Sequence, residues 1–382
     1  MRSTALVLLT CAAVAGCASE GNPASTSPPA DTASARVAAL DGKLRVPAGF
    51  KVTYYASGLP GVRFMAIGPD GAVYASETAL GRIVRLPDAN HDGVADTQVV
   101  VVNGLNKPHG LAFHAGALYV ANTDGVVRLT LGADGVAKDA PVYVNSYAGG
   151  GNHFTRTIVF GADSGMYVSV GSTCNLCLEQ TPERAVVLRF NEDGSGKQVF
   201  ASGLRNAVGL AVHPTTGELW VSQNERDDLP PDHENLPPEE INILVPGGDY
   251  GWPYCYGDRV PNPEFNDFAR CAHTIPPALA MQAHSAPLGI SFLTRATTFP
   301  VDYRGDLLVA FHGSWDRVIP TGAKVVRVHV ANGKPLFAED FVTGWQQADG
   351  SRWGRPVDVV VAADGSVLIS DDQSGVIYRV SQ

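Results

Sequence analysis

The sequence predicts an all-β protein, a six-bladed β-propeller, and three observations carry that prediction. Short apolar runs are broken by Asp-Gly and Thr-Gly turns, while the three-and-four spacing of an amphipathic helix is almost absent. One pattern recurs six times, about forty to seventy residues apart: an apolar strand, a tight turn, a second strand, and often a third carrying an arginine. An extra strand, FKVTYYA (Phe50–Ala56), precedes the first repeat, where it can complete the last blade and so remove two open sheet edges.

The chain opens with a segment that stands apart from this pattern. Arg2 supplies a positive charge, Ala5 to Ala15 form an apolar run too short to span a bilayer, and VAGC (Val14–Cys17) places small residues directly before a cysteine. Residues 1–16 therefore read as a lipoprotein signal peptide and Cys17 as the lipid-modified residue. Ala18 and Ser19 follow with no aspartate, which favours the outer membrane and a periplasmic protein. Residues 17–36, rich in Ser, Pro, Ala and Thr, read as a flexible tether, and residues 37–382 as one propeller domain.

The repeats begin FMAIGPDGAVYAS at Phe64, GLAFHAGALYVAN at Gly110, TIVFGADSGMYVSV at Thr157, VGLAVHPTTGELWVSQ at Val208, LGISFL at Leu288 and VDVVVAADGSVLISD at Val357. The fourth is followed by a long stretch, 225–285, full of Pro, Asp and Glu, which reads as loops on one face. A formal net charge of −10 with no basic run argues against nucleic acid as a partner. Export places Cys174, Cys177, Cys255 and Cys271 in an oxidising compartment. Proximity favours the disulfides Cys174–Cys177 and Cys255–Cys271 among the three pairings that four cysteines allow.

In a propeller the loops entering the innermost strands crowd one face, and convergent polar groups there form the default binding site. The residues in those positions are His109, His153, Arg205, Asn206, His284 and Arg355. His153 closes the glycine-rich loop of GGGNHFTRTIVF (149–160), whose glycines permit a close backbone approach. A separate signal lies in DANHDGVAD, which sets Asp88, Asn90, Asp92 and Asp96 at alternating loop positions around Gly93. Hard oxygen donors at that spacing resemble the first part of a calcium-binding loop, although Val99 stands where a twelfth-position glutamate belongs; a solvated Asx-rich turn is the other reading.

Taken in order, NHFTRTIVFGADSGMYVSVGS, GLRNAVGLAVHP, EEINILVPGGDYGWP, AHSAPLGISF, YRGDLLVAFHGSWDR and GRPVDVVVAADG resemble the soluble glucose/sorbosone dehydrogenases that use pyrroloquinoline quinone (PQQ), and the sorbosone-dehydrogenase-like branch in particular. The resemblance spans residues 45–382. It implies that His153 is the catalytic base, that Arg205 and Asn206 face the quinone oxygens, and that Arg355 holds a cofactor carboxylate. It further implies His312 or Arg317 in place of a family lysine, His284 beside cofactor or substrate, a calcium ion on backbone carbonyls near Gln223–Glu225, and a second calcium site at Glu240 and Tyr250. Two positions depart from the glucose-oxidising members: Asn152 and Ser172 stand where those enzymes carry carboxylates. The implied activity is oxidation of an aldose or a related aldehyde such as sorbosone, dependent on PQQ and calcium, with electrons passed to a quinone or cytochrome. A calcium-dependent lactonase-type hydrolase and a non-catalytic binding scaffold are the rival readings of a six-bladed propeller.

Overall fold

Each predicted repeat forms one antiparallel sheet, and the sheets close into a ring. The structure is a computed structural model that describes Met1 and residues 36–382; the rest of the predicted signal peptide, Cys17 and the tether up to residue 35 lie outside the described residues. From inner to outer strand, blade one runs Val62–Ile67, Val73–Glu77, Arg82–Leu86 and Val99–Val102, and blade two Leu111–His114, Ala117–Asn122, Gly125–Leu129 and Val142–Tyr143. Blade three begins at Ile158–Phe160, blade four at Ala207–Val212, blade five at Pro287–Phe292 and blade six at Pro356–Val361. The outer strand of blade six is Lys51–Ser57, paired antiparallel with Val376–Ser381. The early strand therefore closes the ring, one residue along from its predicted bounds.

The second strand of every blade is buried, along its whole length in five of them and from Leu118 onward in blade two, because both of its faces meet a neighbouring blade. Apolar side chains consequently gather in six clusters, one at each blade–blade interface. The cluster around Trp220 and Phe292 joins blades four and five, for example, and that around Tyr74 and Leu118 joins blades one and two. A small seventh cluster, Phe64, Val208, Leu288 and Val357, plugs the axis. Burial at the interfaces rather than in a shared centre is what holds the ring together.

The repeats share a local device near the axis. In blades one, three, four and six the second strand carries a serine, and Ser76, Ser169, Ser222 and Ser370 accept the backbone N–H of Phe64, Thr157, Gly209 and Asp358. Those N–H groups belong to the irregular opening of the inner strands, which the ladder leaves unpaired. The residues just before this position are Arg63, His109, Arg156, Val208, Leu288 and Val357, so the axis is cationic or polar on three blades and apolar on three. His109 is fully buried there, its ring tilted against Phe64 and its Nδ1 against the Arg156 carbonyl, and does not reach the rim.

The segment 225–285 departs from the prediction of plain loops. It supplies Glu239–Leu244 and Leu279–Met281 to blade four, adds Gly248–Asp249 to blade three as a fifth, parallel strand, and forms a ribbon, Cys255–Tyr256 with Val260–Pro261, beside the short helix Phe268–Cys271. Cys255 and Cys271 form a disulfide that ties that ribbon to the helix, and Cys174 and Cys177 form the other. No helix among the described residues is long and apolar enough to cross a membrane.

Candidate active site

The loops that enter blades three to six surround a cavity of about 330 Å³ at one mouth of the ring. His153, Arg205, Asn206, His284, His312 and Arg355 all line it, so six of the seven residues expected at the cofactor meet there. Arg317 does not. Its Nε donates to the Ile319 carbonyl and its Nη1 to that of Ala283, and it lines a separate groove with Pro320 and Gln346. Of the two candidates for the family lysine, the structure brings only His312 into the cavity.

The glycine loop is shaped by carbonyl-seeking arginines. Arg184 donates to the carbonyls of Gly149 and Gly150, and the fully buried Arg156 donates to those of His153 (2.7 Å) and Ala148 (3.1 Å). Gly151, at φ +84°, carries the chain past Thr173, so Asn152 and His153 run beside Ser172 and Thr173. Gly171 completes the seat: a methyl group there would stand 2.5 Å from His153 Cβ and 2.9 Å from Asn206 Oδ1.

Ser172 fixes the imidazole. Its hydroxyl donates to the Cys174 carbonyl at 2.7 Å and therefore accepts the Nδ1–H of His153 at 2.8 Å. Nε2 is left with its lone pair facing the cavity, in the tautomer a proton acceptor requires. Burial, together with the positive charge of Arg205, pulls the imidazole down to about 3, so the ring is neutral at physiological pH. The Ser172 hydroxyl thus orients the ring while adding no negative charge.

Arg205 has a different employment from the one expected. Its Nε donates to Asn175 O (3.0 Å), its Nη1 to the carbonyls of Glu225 (2.6 Å) and Asn224 (3.3 Å), and its Nη2 to Asn175 Oδ1 (2.8 Å) and Asp227 Oδ2 (3.1 Å). All its N–H groups are spent, so toward a ligand it offers charge and no free donor. Asn175 belongs to the loop closed by Cys174–Cys177, which makes that disulfide part of the support of Arg205. Asn206, by contrast, has no side-chain partner among the described residues. Arg355 spends Nε and Nη2 on the carbonyls of His312 and Gly313 and keeps Nη1 for the cavity. His312 bonds Asp372 at 2.9 Å; burial outweighs that carboxylate and brings its imidazole down to about 4.

The opposite wall is acidic and was not legible in the sequence. Asp227, Glu225, Glu239 and Asp316 line it around His284. Glu239 is a staple: it accepts the N–H of Glu225 (2.8 Å) and of Ala286 (2.9 Å), tying the 224–227 loop to the His284 loop, and burial pushes its carboxyl up to about 8. Trp315 also lines the cavity but is 74 % exposed, a flat aromatic face at the mouth.

The predicted calcium sites fare differently. The carbonyls of Asn224 and Glu225, expected to hold an ion, are taken by the Arg205 guanidinium, so this loop does not fit a carbonyl-bound cation. Glu240 bonds Gln223 and Asn242 inside blade four, whereas the Tyr250 hydroxyl donates to Ile243 O and accepts from Val245 N, so the two side chains serve separate networks. In the 88–96 loop Asp88 accepts the N–H of Asp92 and Gly93, Asn90 that of Asp92, Asp92 that of Val94 and Asp96 that of Ala89. That is a set of Asx turns, and its carboxylates do not form a convergent trio.

A closed six-bladed ring with a histidine, an arginine and a free amide converging on one mouth defines a propeller built to bind a polar small molecule. The chain belongs to the TrAA12-like family, whose model matches residues 44–382. It is 30 % identical over 363 residues to an uncharacterised protein of Borreliella burgdorferi, across 88 % of this chain and 90 % of that one. A pyrroloquinoline quinone-dependent pyranose dehydrogenase of Coprinopsis cinerea is 26 % identical over 409 residues; the match takes in 89 % of this chain and only 55 % of that protein's length. A pyrroloquinoline quinone-dependent sugar dehydrogenase of Hypocrea jecorina is 24 % identical, over 87 % of this chain and 88 % of that protein. The holo form of the Coprinopsis PQQ domain superposes with a TM-score of 0.75 at 23 % identity, covering 91 % of this chain and all of that domain, which establishes the shared fold.

Proposed function

We propose that the protein is a PQQ-dependent dehydrogenase that oxidises a sugar. The observation that carries the reading is the orientation of His153, neutral and with Nε2 open to the same cavity as Arg355 and the unpartnered Asn206. A flat quinone tricarboxylate fits that wall: Arg355 has one Nη free for a carboxylate, Asn206 has a whole amide, and the buried charge of Arg205 lies behind them. PQQ would supply the two-electron acceptor for the hydride leaving the carbinol carbon. The protein's own part is to accept the hydroxyl proton at His153 Nε2, to hold the ring in place through Ser172, and to favour developing negative charge through Arg205.

The proposal extends to a finer assignment. An aldose or a related aldehyde such as sorbosone is the substrate class, and Trp315 offers a face on which a pyranose ring can stack. The electrons would leave to a quinone or cytochrome. Membership of the sorbosone-like branch rests on the sequence strings alone, and the periplasmic location and lipid anchor on residues 1–36. The hydrolase reading is not favoured, since the residues that open the inner strands at this mouth are His153, Arg205, Asn206, His284 and Arg355.

The test is reconstitution of the purified protein with PQQ, followed by turnover on aldoses and aldehydes with an artificial acceptor. His153→Gln should still bind PQQ and lose about 10²- to 10⁴-fold in turnover at saturating cofactor. Arg355→Ala should instead weaken PQQ binding, by about 10- to 100-fold for a lost charge-assisted contact. Near-normal turnover by the His153 variant would remove the catalytic assignment, and a wild type that binds no PQQ would leave the scaffold reading.

A further inference from the structure

Every acceptor that Arg205 uses lies on one of two segments. Asn175 supplies its carbonyl to Nε (3.0 Å) and its Oδ1 to Nη2 (2.8 Å). The 224–227 loop supplies the rest: the carbonyls of Asn224 and Glu225 to Nη1, and Asp227 Oδ2 to Nη2. Asn175 follows the second strand of blade three and the 224–227 loop the second strand of blade four, so the guanidinium is held in the seam between two blades. A planar fork divided in this way is aimed only if the two segments are fixed to each other.

Asn175 does that fixing. Its Oδ1 accepts the Asp227 N–H at 2.8 Å, and its Nδ2 donates to the Asp227 carbonyl at 3.0 Å. The side-chain amide thus pairs with one backbone residue across the seam, as a neighbouring strand would, and keeps a second lone pair for Arg205. Its own carbonyl is shared between Arg205 Nε and the indole N–H of the buried Trp252. A carboxylate of the same shape could not serve, because it would turn an acceptor on the Asp227 carbonyl. The Cys174–Cys177 disulfide closes the loop around Asn175, which limits its freedom to turn away. The Cys174 carbonyl beside it accepts the Ser172 hydroxyl that orients His153, so one short loop reaches both groups.

We propose that Asn175 is a positioning residue: clamped to the Asp227 backbone and fastened by the Cys174–Cys177 disulfide, its amide aims the Arg205 guanidinium at the cavity. Asn175 does not itself line the cavity, so it acts through Arg205. Its effect on turnover rests on the quinone reading; the placement of Arg205 does not.

The experiment is a mutant cycle of Asn175→Ala and Arg205→Gln. In the PQQ-free protein, exchange of the Arg205 Nε–H with water, followed by NMR, should be at least ~10-fold faster in Asn175→Ala than in the wild type. At saturating PQQ, Asn175→Ala should lower turnover about 10-fold, while in the Arg205→Gln background the same substitution should cost less than ~2-fold. A residue that merely held the loop together would cost the same factor in both backgrounds. Should Asn175→Ala fail to fold, Cys174→Ser/Cys177→Ser keeps the amide, frees the loop, and should likewise speed the Arg205 exchange. The proposal falls if that exchange stays as slow as in the wild type, or if the two turnover losses multiply. Exchange is read without PQQ, so a protein that binds none still decides the clamp. Unchanged exchange beside PQQ-dependent turnover would sink the clamp and leave the quinone reading intact.

Discussion

Ser172 Oγ stands 2.8 Å from His153 Nδ1 and donates its own hydrogen bond to the Cys174 carbonyl, so one side chain decides which nitrogen of the other stays bare. Ser172→Ala should remove that decision without removing the base. Turnover is expected to fall about 10-fold, PQQ affinity to stay unchanged, and the protein to lose ~0.5–1.5 kcal/mol for one hydrogen bond. The ¹⁵N shifts of His153 distinguish positioning from packing: a single Nδ1–H tautomer in the wild type should become a mixture in the variant. An unchanged tautomer would exclude the positioning role.

The charge state of His153 gives a second measurement. A ring held down to about 3 by burial and Arg205 stays neutral at pH 5, where an ordinary imidazole is almost fully protonated. Imidazole carbon-bound proton shifts in the PQQ-free protein should therefore show no titration of His153 between pH 5 and 8. A midpoint near 6.5 would mean that water reaches the ring freely.

Gly171 predicts a steric effect confined to the site. It is not needed for a left-handed turn; its missing side chain is the space His153 Cβ and Asn206 Oδ1 occupy. Gly171→Ala should displace both, costing ~1–3 kcal/mol of stability as overpacking does, and turnover should fall further than stability alone explains. Wild-type turnover with a lowered melting temperature would show that the histidine seat can relax.

Asp358 predicts a pH dependence. It is buried at the axis in blade six, where burial pushes its carboxyl up to about 7 despite the Met65 N–H that it accepts at 2.8 Å. The folded chain therefore holds a proton that the unfolded chain releases near pH ~4, and this group's contribution to stability declines as pH rises from there to about 7. Asp358→Asn should flatten that decline, so that the variant gains ~1–3 kcal/mol on the wild type between pH 4 and pH 8 in urea melts. Parallel curves would place water beside the carboxylate.

Much of this architecture could be read from the chain because strand periodicity and turn chemistry are local. Asp-Gly and Thr-Gly turns mark each hairpin, and the residues before the inner strands, His153, Arg205, Asn206, His284 and Arg355, reach one mouth because ring closure puts those positions together. The acidic wall was hidden for the opposite reason. Asp227 and Glu239 flank a loop whose path no period encodes, and Asp316 sits between the two residues of HGSWDR weighed for the cofactor. His312 turns inward and Arg317 outward because the intervening loop swings Trp315 to the surface and lets Arg317 find the carbonyls of Ala283 and Ile319. The Asp88–Asp96 spacing had two readings in the sequence, and in the structure its side chains accept backbone amides of the loop itself.

The pairing of Lys51–Ser57 with Val376–Ser381 has a consequence for how the molecule is made. A ribosome delivers the first of these strands long before the second, so five blades are finished before the circle can be fastened. Until then the growing chain displays the outward rim of Lys51–Ser57 and the far side of the newest blade, both able to template intermolecular pairing. A message cut short after blade five would yield a protein with every cavity-lining loop except that of Arg355, yet with a permanent seam. For this molecule a premature stop is therefore an aggregation hazard before it is a loss of activity, and the strand that fastens the ring is the one that renders all the earlier ones safe.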